Sequence, residues 1–115
     1  MQEQEGFAVI AAYYLADALM KSGQLKAARL SLRRALREAP KNAALYKLLA
    51  RIEGERNQWA QSFQALAEHH FLKDELEQAL SHLRTAATHV GESAYLKASI
   101  NARIKEIEKY IGGKG

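Results

Sequence analysis

The stretch AYYLADALMKSGQLKAARLSLRRALREAP, residues 12–40, decides the fold of this 115-residue chain. Its apolar residues recur at intervals of three and four, which is the spacing of an amphipathic helix, and Gly23 and Pro40 mark where helices end. Ala16 and Ala28 are small enough to let two helix axes approach closely, while the leucines between them fill the remaining space. The stretch therefore predicts two antiparallel helices that interlock.

A second copy of this pattern follows 34 residues after the first, where Asn57 corresponds to Gly23 and Ser62 to Ala28. A period of 34 residues is typical of tetratricopeptide helix-turn-helix units. The sequence resembles that family from residue 12 to residue 42, and the matching residues are Ala16, Gly23, Ala28, Ala35 and Pro40. The resemblance implies a superhelix of stacked hairpins whose concave side receives a protein or peptide.

The remaining turn signals extend this prediction to the whole chain. Apolar spacing and a single proline predict an all-α, tetratricopeptide-like α-α superhelix of about six antiparallel helices. We expect helices at about residues 7–21, 25–38, 43–56, 59–72, 75–90 and 93–111, with a disordered GGKG tail. The helices form hairpins at about 7–40, 42–72 and 75–111 within a single domain spanning 1–115.

The later repeats depart from the first copy. His69 stands where the small Ala35 stands in the first copy, and no proline follows it. The pattern instead recurs around Ala79, which lies 51 residues, or one and a half periods, after Ala28. The fourth helix is therefore predicted to pack against neighbours on two sides, and the sequence leaves open which face of the last three helices lines the groove.

Composition argues against disulfides, cysteine-based sites and a membrane-spanning helix, and charge leaves two interpretations open. The chain has no cysteine, and no apolar run approaches the roughly 18 residues that a membrane span requires. The net charge is +4, and Arg29, Arg33 and Arg37 form one stripe on one helix. We expect this stripe to be mostly a solvated outer face. The alternative is a cytoplasmic adaptor or a nucleic-acid-associated regulator that uses the stripe.

No residue set has the spacing of a catalytic or metal site. The chain lacks HExxH, the motif that places two histidines on one helical face around zinc. The adjacent His69 and His70 cannot form such a face, because successive helical residues point about 100° apart. His82 and His89 lie roughly 10 Å apart on one helix, which is too far to share a metal. A site completed by His70 would still lack a fourth ligand. We therefore expect no catalytic residue, no metal site and no cofactor in this chain, and no enzymatic activity.

A more specific resemblance covers residues 46–110. The segments AEHHFLKDELEQALSHLRTA and YLKASINARIKEIE resemble the C-terminal tetratricopeptide region of bacterial HExxH zinc metalloproteases of the beta-barrel assembly-enhancing type. The matching residues are Ala67, Glu68, Leu83, Arg84, Ala86, Arg103, Ile104, Glu106 and Ile107. The resemblance implies an exported parent protein in the periplasm, with zinc only in a peptidase domain outside this chain. Without it, the expected location is the cytoplasm.

The tetratricopeptide resemblance also implies a set of groove residues. By analogy with the family, the first and third helices present Tyr13, Asp17, Met20, Lys21, Lys47, Arg51 and Glu55 to a partner. Tyr13 would serve as an apolar platform, and Asp17 would repel an anionic chain end. The expected partner is a client or assembly-partner polypeptide, or the parent's own peptidase domain. Exposed Ile10 and Tyr14 also predict a homo-oligomer formed through the first helix.

Overall fold

The computed structural model describes residues 2–114, with side-chain exposure given for residues 6–113, and this part of the chain contains six α-helices and no strand. The helices are α1 (Gln2–Lys21), α2 (Leu25–Glu38), α3 (Ala43–Glu55), α4 (Trp59–Leu72), α5 (Leu76–Ala87) and α6 (Ala94–Lys114). The prediction of an all-α helical repeat fold is confirmed.

Four residues in the left-handed region of φ lie in the turns between helices. Gly23 (φ 83°) ends α1, as expected for a glycine that terminates a helix, and Gly91 (φ 58°) lies in the turn between α5 and α6. Asn57 (φ 61°) and Asp74 (φ 62°) adopt the same conformation, which their short polar side chains tolerate better than most. Successive positions among these four lie 34, 17 and 17 residues apart, which is one repeat period or half of it. The turns therefore keep the repeat period even where glycine is absent.

Polar side chains begin two of the helices. The Oδ1 atom of Asn42 accepts hydrogen bonds from the backbone N–H groups of Ala44 (3.0 Å) and Leu45 (3.3 Å). The Oγ atom of Ser93 accepts one from the N–H of Leu96 at 3.1 Å. All three hydrogen bonds satisfy donors that the first turn of a helix leaves unpaired.

Three predicted helix ends require correction. Helix α1 already begins at Gln2, and α5 ends at Ala87, where the Thr88 hydroxyl donates to the Thr85 carbonyl at 2.7 Å and tightens the last turn. Helix α6 continues through Gly112 to Lys114, so the tail predicted to be disordered is largely helical. Each residue added to an existing helix gains a hydrogen bond, which offsets the roughly 1 kcal/mol cost of glycine. Gly115 lies outside the described residues.

The hydrophobic core consists of two clusters. The first core cluster joins α1, α2, α3 and one side of α4, with Ala16, Ala28 and Leu32 completely buried. The second core cluster joins α4, α5 and α6 around Leu83 and Ile107. The small residues of the quoted stretch therefore occupy the helix crossings at which the sequence predicts them.

Helix α4 belongs to both core clusters. Ala65 is 5% exposed and lies in the first core cluster, whereas Ala60 (2%) and Ala67 (0%) lie in the second. Alanines on two sides of one helix allow two neighbouring helices to approach its axis. This arrangement confirms the prediction that the fourth helix packs on two sides.

Helix α1 leaves an apolar face exposed. Phe7 is 93% exposed, Ile10 54% and Tyr14 65%, so these side chains are accessible, and self-association through them stays a prediction. Among residues 2–114, no helix combines the length and the apolar character needed to cross a bilayer.

Replacing Ala67 with leucine should destabilise the fold because the larger side chain has no space between α4 and its neighbours in the second core cluster. We expect the Ala67→Leu substitution to lower the free energy of unfolding by about 1–3 kcal/mol. Urea denaturation followed by circular dichroism measures this change. The matched control is Ala98→Leu at an exposed position of α6, which should stay within about 0.5 kcal/mol of the wild type. Equal effects of the two substitutions would contradict the packing role of Ala67.

Candidate functional site

A cleft of about 590 Å³ lies between α2 and α6. Side chains of α3, α4 and α5 line its middle part, where Leu49, Ala65 and Leu83 are almost completely buried. Leu49 and Ala65 belong to the first core cluster and Leu83 to the second, so the cleft lies over the junction of the two clusters. Its volume is within the range of 300–1,000 Å³ that is common for ligand-binding sites.

An ion-pair network forms one wall of this cleft. The Glu53 carboxylate, in a residue that is 1% exposed, accepts hydrogen bonds from Arg29 Nε and Arg56 Nη1, both at 2.7 Å. Arg29 lies on α2 and Glu53 on α3, so the network joins successive helices. Burying a carboxylate is costly unless it is paired and hydrogen-bonded, and the two arginines meet that requirement.

A second network forms the opposite wall. Arg103 of α6 donates from Nε and Nη2 to the two oxygens of Glu68 in α4, at 2.8 and 2.9 Å, and from Nη1 to Glu106 at 2.9 Å. Its guanidinium also lies over the Phe71 ring, 4.6 Å from the ring centroid. The hydrogen bonds that Arg103 donates to the Glu68 carboxylate raise the pKa of Arg103 above its usual range.

Tyr46 lies between the two networks. Burial, followed by the negative charge of Glu68, raises the pKa of its phenol, while the charges of Arg103 and Arg33 oppose the shift. The hydroxyl therefore remains protonated at neutral pH and can donate a hydrogen bond. Tyr46 also lines a smaller recess of about 410 Å³ that adjoins Arg33 and Arg37.

The basic stripe of α2 is divided between different environments. Arg29 is bound to Glu53, whereas Arg33 and Arg37 are exposed and have no carboxylate within ion-pair distance among the described residues. Arg33 lines the cleft and the recess, and Arg37 lines the recess alone. The expectation that the stripe is mostly a solvated face therefore needs correction at Arg29, which is partly buried against Glu53, whereas Arg33 and Arg37 are exposed.

The groove residues predicted from the sequence lie elsewhere on the molecule. On α3, the exposed residues Lys47, Arg51 and Glu55 point about 170° away from the cleft-lining stripe formed by Tyr46, Leu49 and Glu53, because successive helical residues are 100° apart. None of the seven predicted residues lines the cleft.

The α1 members of the predicted groove differ in accessibility. Lys21 forms an ion pair with Asp17 at 2.9 Å, and Tyr13 is half-buried, with its ring edge-on to Tyr14 at a centroid distance of 5.3 Å. The prediction that Met20 is a groove residue requires correction. Met20 is 6% exposed within the first core cluster and presents almost no surface to a partner. The other six residues remain predicted groove residues.

Three histidines and Phe63 stack in a column beside α4 and α5, with His89 in the turn that follows α5. His70 stacks on His82 at 5.0 Å between ring centroids, and Phe63 stacks on both His82 (6.0 Å) and His89 (5.7 Å). His69 lies edge-on to His70 at 5.1 Å and donates from Nδ1 to the Ala43 carbonyl at 2.9 Å. Within the described residues, no three histidine or acidic side chains are grouped so that they could hold a metal ion.

Comparison with known protein families supports the repeat assignment. Residues 9–52, covering most of α1, all of α2 and most of α3, match the tetratricopeptide repeat. Together with the all-helical architecture, this match supports a tetratricopeptide repeat protein. No curated protein matches the chain in sequence.

Replacing Glu53 with glutamine should destabilise the fold because two arginines lose their carboxylate partner. The arginine side chains are about 30% exposed and can turn toward water, so we expect a loss of about 1–3 kcal/mol in the free energy of unfolding. Urea denaturation measures it. Glu108→Gln is the matched control, because the Arg84–Glu108 pair is at least half exposed and should contribute no more than about 0.5 kcal/mol. A loss of stability as small as that of the control would contradict the role of Glu53.

The stability of the fold should fall as the pH drops below about 6.5, the pKa of histidine in an unfolded chain. Burial, and then the charge of His70, lowers the pKa of His82, so at mildly acidic pH the unfolded state binds more protons than the folded state. The contribution of neutral His82 to the free energy of unfolding is complete above the pKa that histidine has in the unfolded state. It is lost as the pH falls toward the lower pKa of His82 in the folded state.

The His82→Phe substitution keeps a ring in the column and removes this titration. The variant should lose less stability between pH 7 and pH 5 than the wild type, as measured by thermal denaturation across that range. Parallel pH profiles of the two proteins would exclude His82 as the source of the loss of stability at mildly acidic pH.

Proposed function

We propose that this chain is a non-catalytic protein-interaction module that holds a polypeptide segment in the cleft between α2 and α6. Tetratricopeptide repeats generally mediate protein–protein interaction, which gives the class of function. The observation that carries the proposal is a cleft with hydrogen-bonding groups on its walls and an apolar floor, in which the accessible Tyr95 and Leu96 adjoin the buried Leu49, Ala65 and Leu83. Sites of this composition recognise extended or helical segments, because the floor takes side chains and the polar groups bind the backbone.

Two glutamines and a serine support a polypeptide as the ligand. Gln61 and Gln64 of α4 and Ser99 of α6 line the cleft. A glutamine amide both donates and accepts hydrogen bonds, and it therefore complements the N–H and C=O groups of a peptide backbone. The rigid ion pairs of the walls require no rearrangement before binding, which reduces the entropy lost on association.

A second surface for the same function is the groove predicted on α1 and α3. Its exposed members, Lys47, Arg51 and Glu55, present mixed charges, with Tyr13 as a partly accessible ring. We favour the cleft because it is concave and has an apolar floor. The predicted groove is the alternative that an experiment must separate from it.

The wider role follows from the more specific resemblance and is proposed on that basis alone. As the C-terminal region of an exported zinc-dependent protease or chaperone-like factor, the module would hold a client or assembly partner near the peptidase domain and raise its effective concentration. Zinc would be bound only in that peptidase domain, which could itself be the partner. The location would then be the periplasm, and otherwise the cytoplasm. Sequencing the reading frame upstream of this chain tests the proposal, because the proposal requires an export signal followed by an HExxH motif.

A display selection with random 12-residue peptides tests both the function and the surface. The full chain is immobilised, enriched peptides are synthesised, and their affinities are measured by fluorescence anisotropy. Three tryptophan variants identify the surface: Ser99→Trp fills the cleft, Asn101→Trp places the same ring on an exposed position of α6 turned away from the cleft, and Arg51→Trp blocks the predicted groove.

We expect enriched peptides to lose at least about tenfold in affinity with Ser99→Trp, because the indole occupies the space of a ligand side chain. Affinities for Asn101→Trp and Arg51→Trp should stay within about twofold of the wild type. Loss of binding with Arg51→Trp alone would move the site to the predicted groove. A selection that enriches no specific binder would contradict peptide binding itself.

A further inference from the structure

The charged side chains that line the cleft are not equally available to a ligand. Three are arginines and three are glutamates, so their formal charges cancel. The pairing is uneven, however, because Glu53 is bound by both Arg29 and Arg56, while Arg103 is shared by Glu68 and Glu106. Arg33 is the cleft-lining arginine without a carboxylate partner among the described residues.

The carboxylates of the cleft are poorly suited to bind a cationic ligand. Both oxygens of Glu53 already accept hydrogen bonds, as do both oxygens of Glu68. A lysine or arginine from a partner would have to displace an existing charge-assisted bond, which returns little net energy. Glu106 is the least committed, because its side chain is 66% exposed and one oxygen contacts Arg103.

The free donors of the site are grouped at the α2 end of the cleft. Arg33 and Arg37 lie one helical turn apart, and both line the recess that Tyr46 and Leu49 also line. Two guanidinium groups and a phenol hydroxyl supply N–H and O–H donors to one location, and arginine binds carboxylates with two parallel hydrogen bonds. Leu49 lines both this recess and the cleft, so the two cavities adjoin at this residue.

We propose that the cleft binds an acidic polypeptide segment, with a ligand carboxylate bound by Arg33 and Arg37 beside the Tyr46 hydroxyl and a neighbouring apolar side chain on the floor, where Tyr95 and Leu96 are accessible. This inference rests on the proposed function, because it specifies the ligand of the same cleft. The surface is distinct from the groove predicted on α1 and α3, where Asp17 is paired with Lys21.

An acidic polypeptide fits this site better than a nucleic acid does. Nucleic acids are bound by cations that follow several successive phosphates. The stripe on α2 cannot supply such a track, because Arg29 is committed to Glu53. Glu68 and Glu106 on the opposite wall would also repel a continuous phosphate chain. A segment with separated carboxylates avoids that repulsion and can use the apolar floor.

Three designed peptides and two charge-reversed variants test the inference. The peptides consist of four repeats of Ser-Glu-Leu, Ser-Gln-Leu or Ser-Lys-Leu, each carrying an uncharged dye, and binding is measured by anisotropy at about 150 mM salt, where long-range attraction is screened. Arg33→Glu reverses the charge inside the cleft. Arg34→Glu makes the same change at an adjacent exposed position of α2 that does not line the cleft.

The glutamate peptide should bind the wild type about tenfold more tightly than the glutamine peptide. It should lose at least about tenfold in affinity with Arg33→Glu and stay within about twofold with Arg34→Glu. The lysine peptide should gain affinity for Arg33→Glu, because the reversed charge then attracts it. Circular dichroism of the variants verifies that both remain folded.

Other outcomes would overturn the inference in distinguishable ways. Equal binding of the glutamate and glutamine peptides, lost with Ser99→Trp, would leave peptide binding in the cleft intact and remove the preference for acid. Equal losses for Arg33→Glu and Arg34→Glu would reduce the effect to overall charge. Tighter binding of a 12-nucleotide single-stranded RNA, lost only with Arg33→Glu, would assign the site to nucleic acid. Failure of all three peptides, together with an empty display selection, would reject the proposed function as well.

Discussion

The structure depends on the close packing of α4 against neighbours on two sides. Ala65 faces the first core cluster, and Ala60 and Ala67 face the second, so neighbouring helices approach the same axis from different directions. Larger residues at these positions would separate the helices and open the junction between the clusters. Because a single helix carries both contacts, the N-terminal and C-terminal halves form one continuous stack, and the position of α6 relative to α2 depends on α4.

The cleft is a consequence of that packing. Its apolar floor lies where the two clusters meet, and each wall belongs to a different half of the stack. Ion pairs fix both walls: Glu53 joins α2 to α3 through Arg29, and Glu68 joins α4 to α6 through Arg103. Removing one partner of such a pair is costly because it leaves the other without its hydrogen bonds, so these contacts favour one relative position of the helices. The result is a cleft with one uncommitted cationic end.

Much of the architecture could be predicted because its signals are local. Gly23 ends a helix because glycine can adopt a positive φ, Pro40 cannot continue one because its ring replaces the backbone N–H, and Asn42 begins one with its own side chain. The error at the C-terminal tail has a local reason as well, because a helix that has already formed extends through glycines at low cost. Met20 was misplaced for another reason. Analogy with a family position does not reveal how deeply neighbouring helices cover a side chain, and here Met20 is buried.

The sequence by itself determined the number of helices, their turns and the small residues at their crossings, because these features depend on residues within a few positions of one another. The fourth helix also revealed its two packing sides through the shifted repeat. Only the tertiary structure decided that Arg29 is neutralised by Glu53, that Arg103 reaches Glu68, and that Arg33 remains available at the end of a cleft. These pairs join residues 24 and 35 positions apart on different helices, so they depend on helix crossing angles and curvature, which periodicity along one chain does not specify.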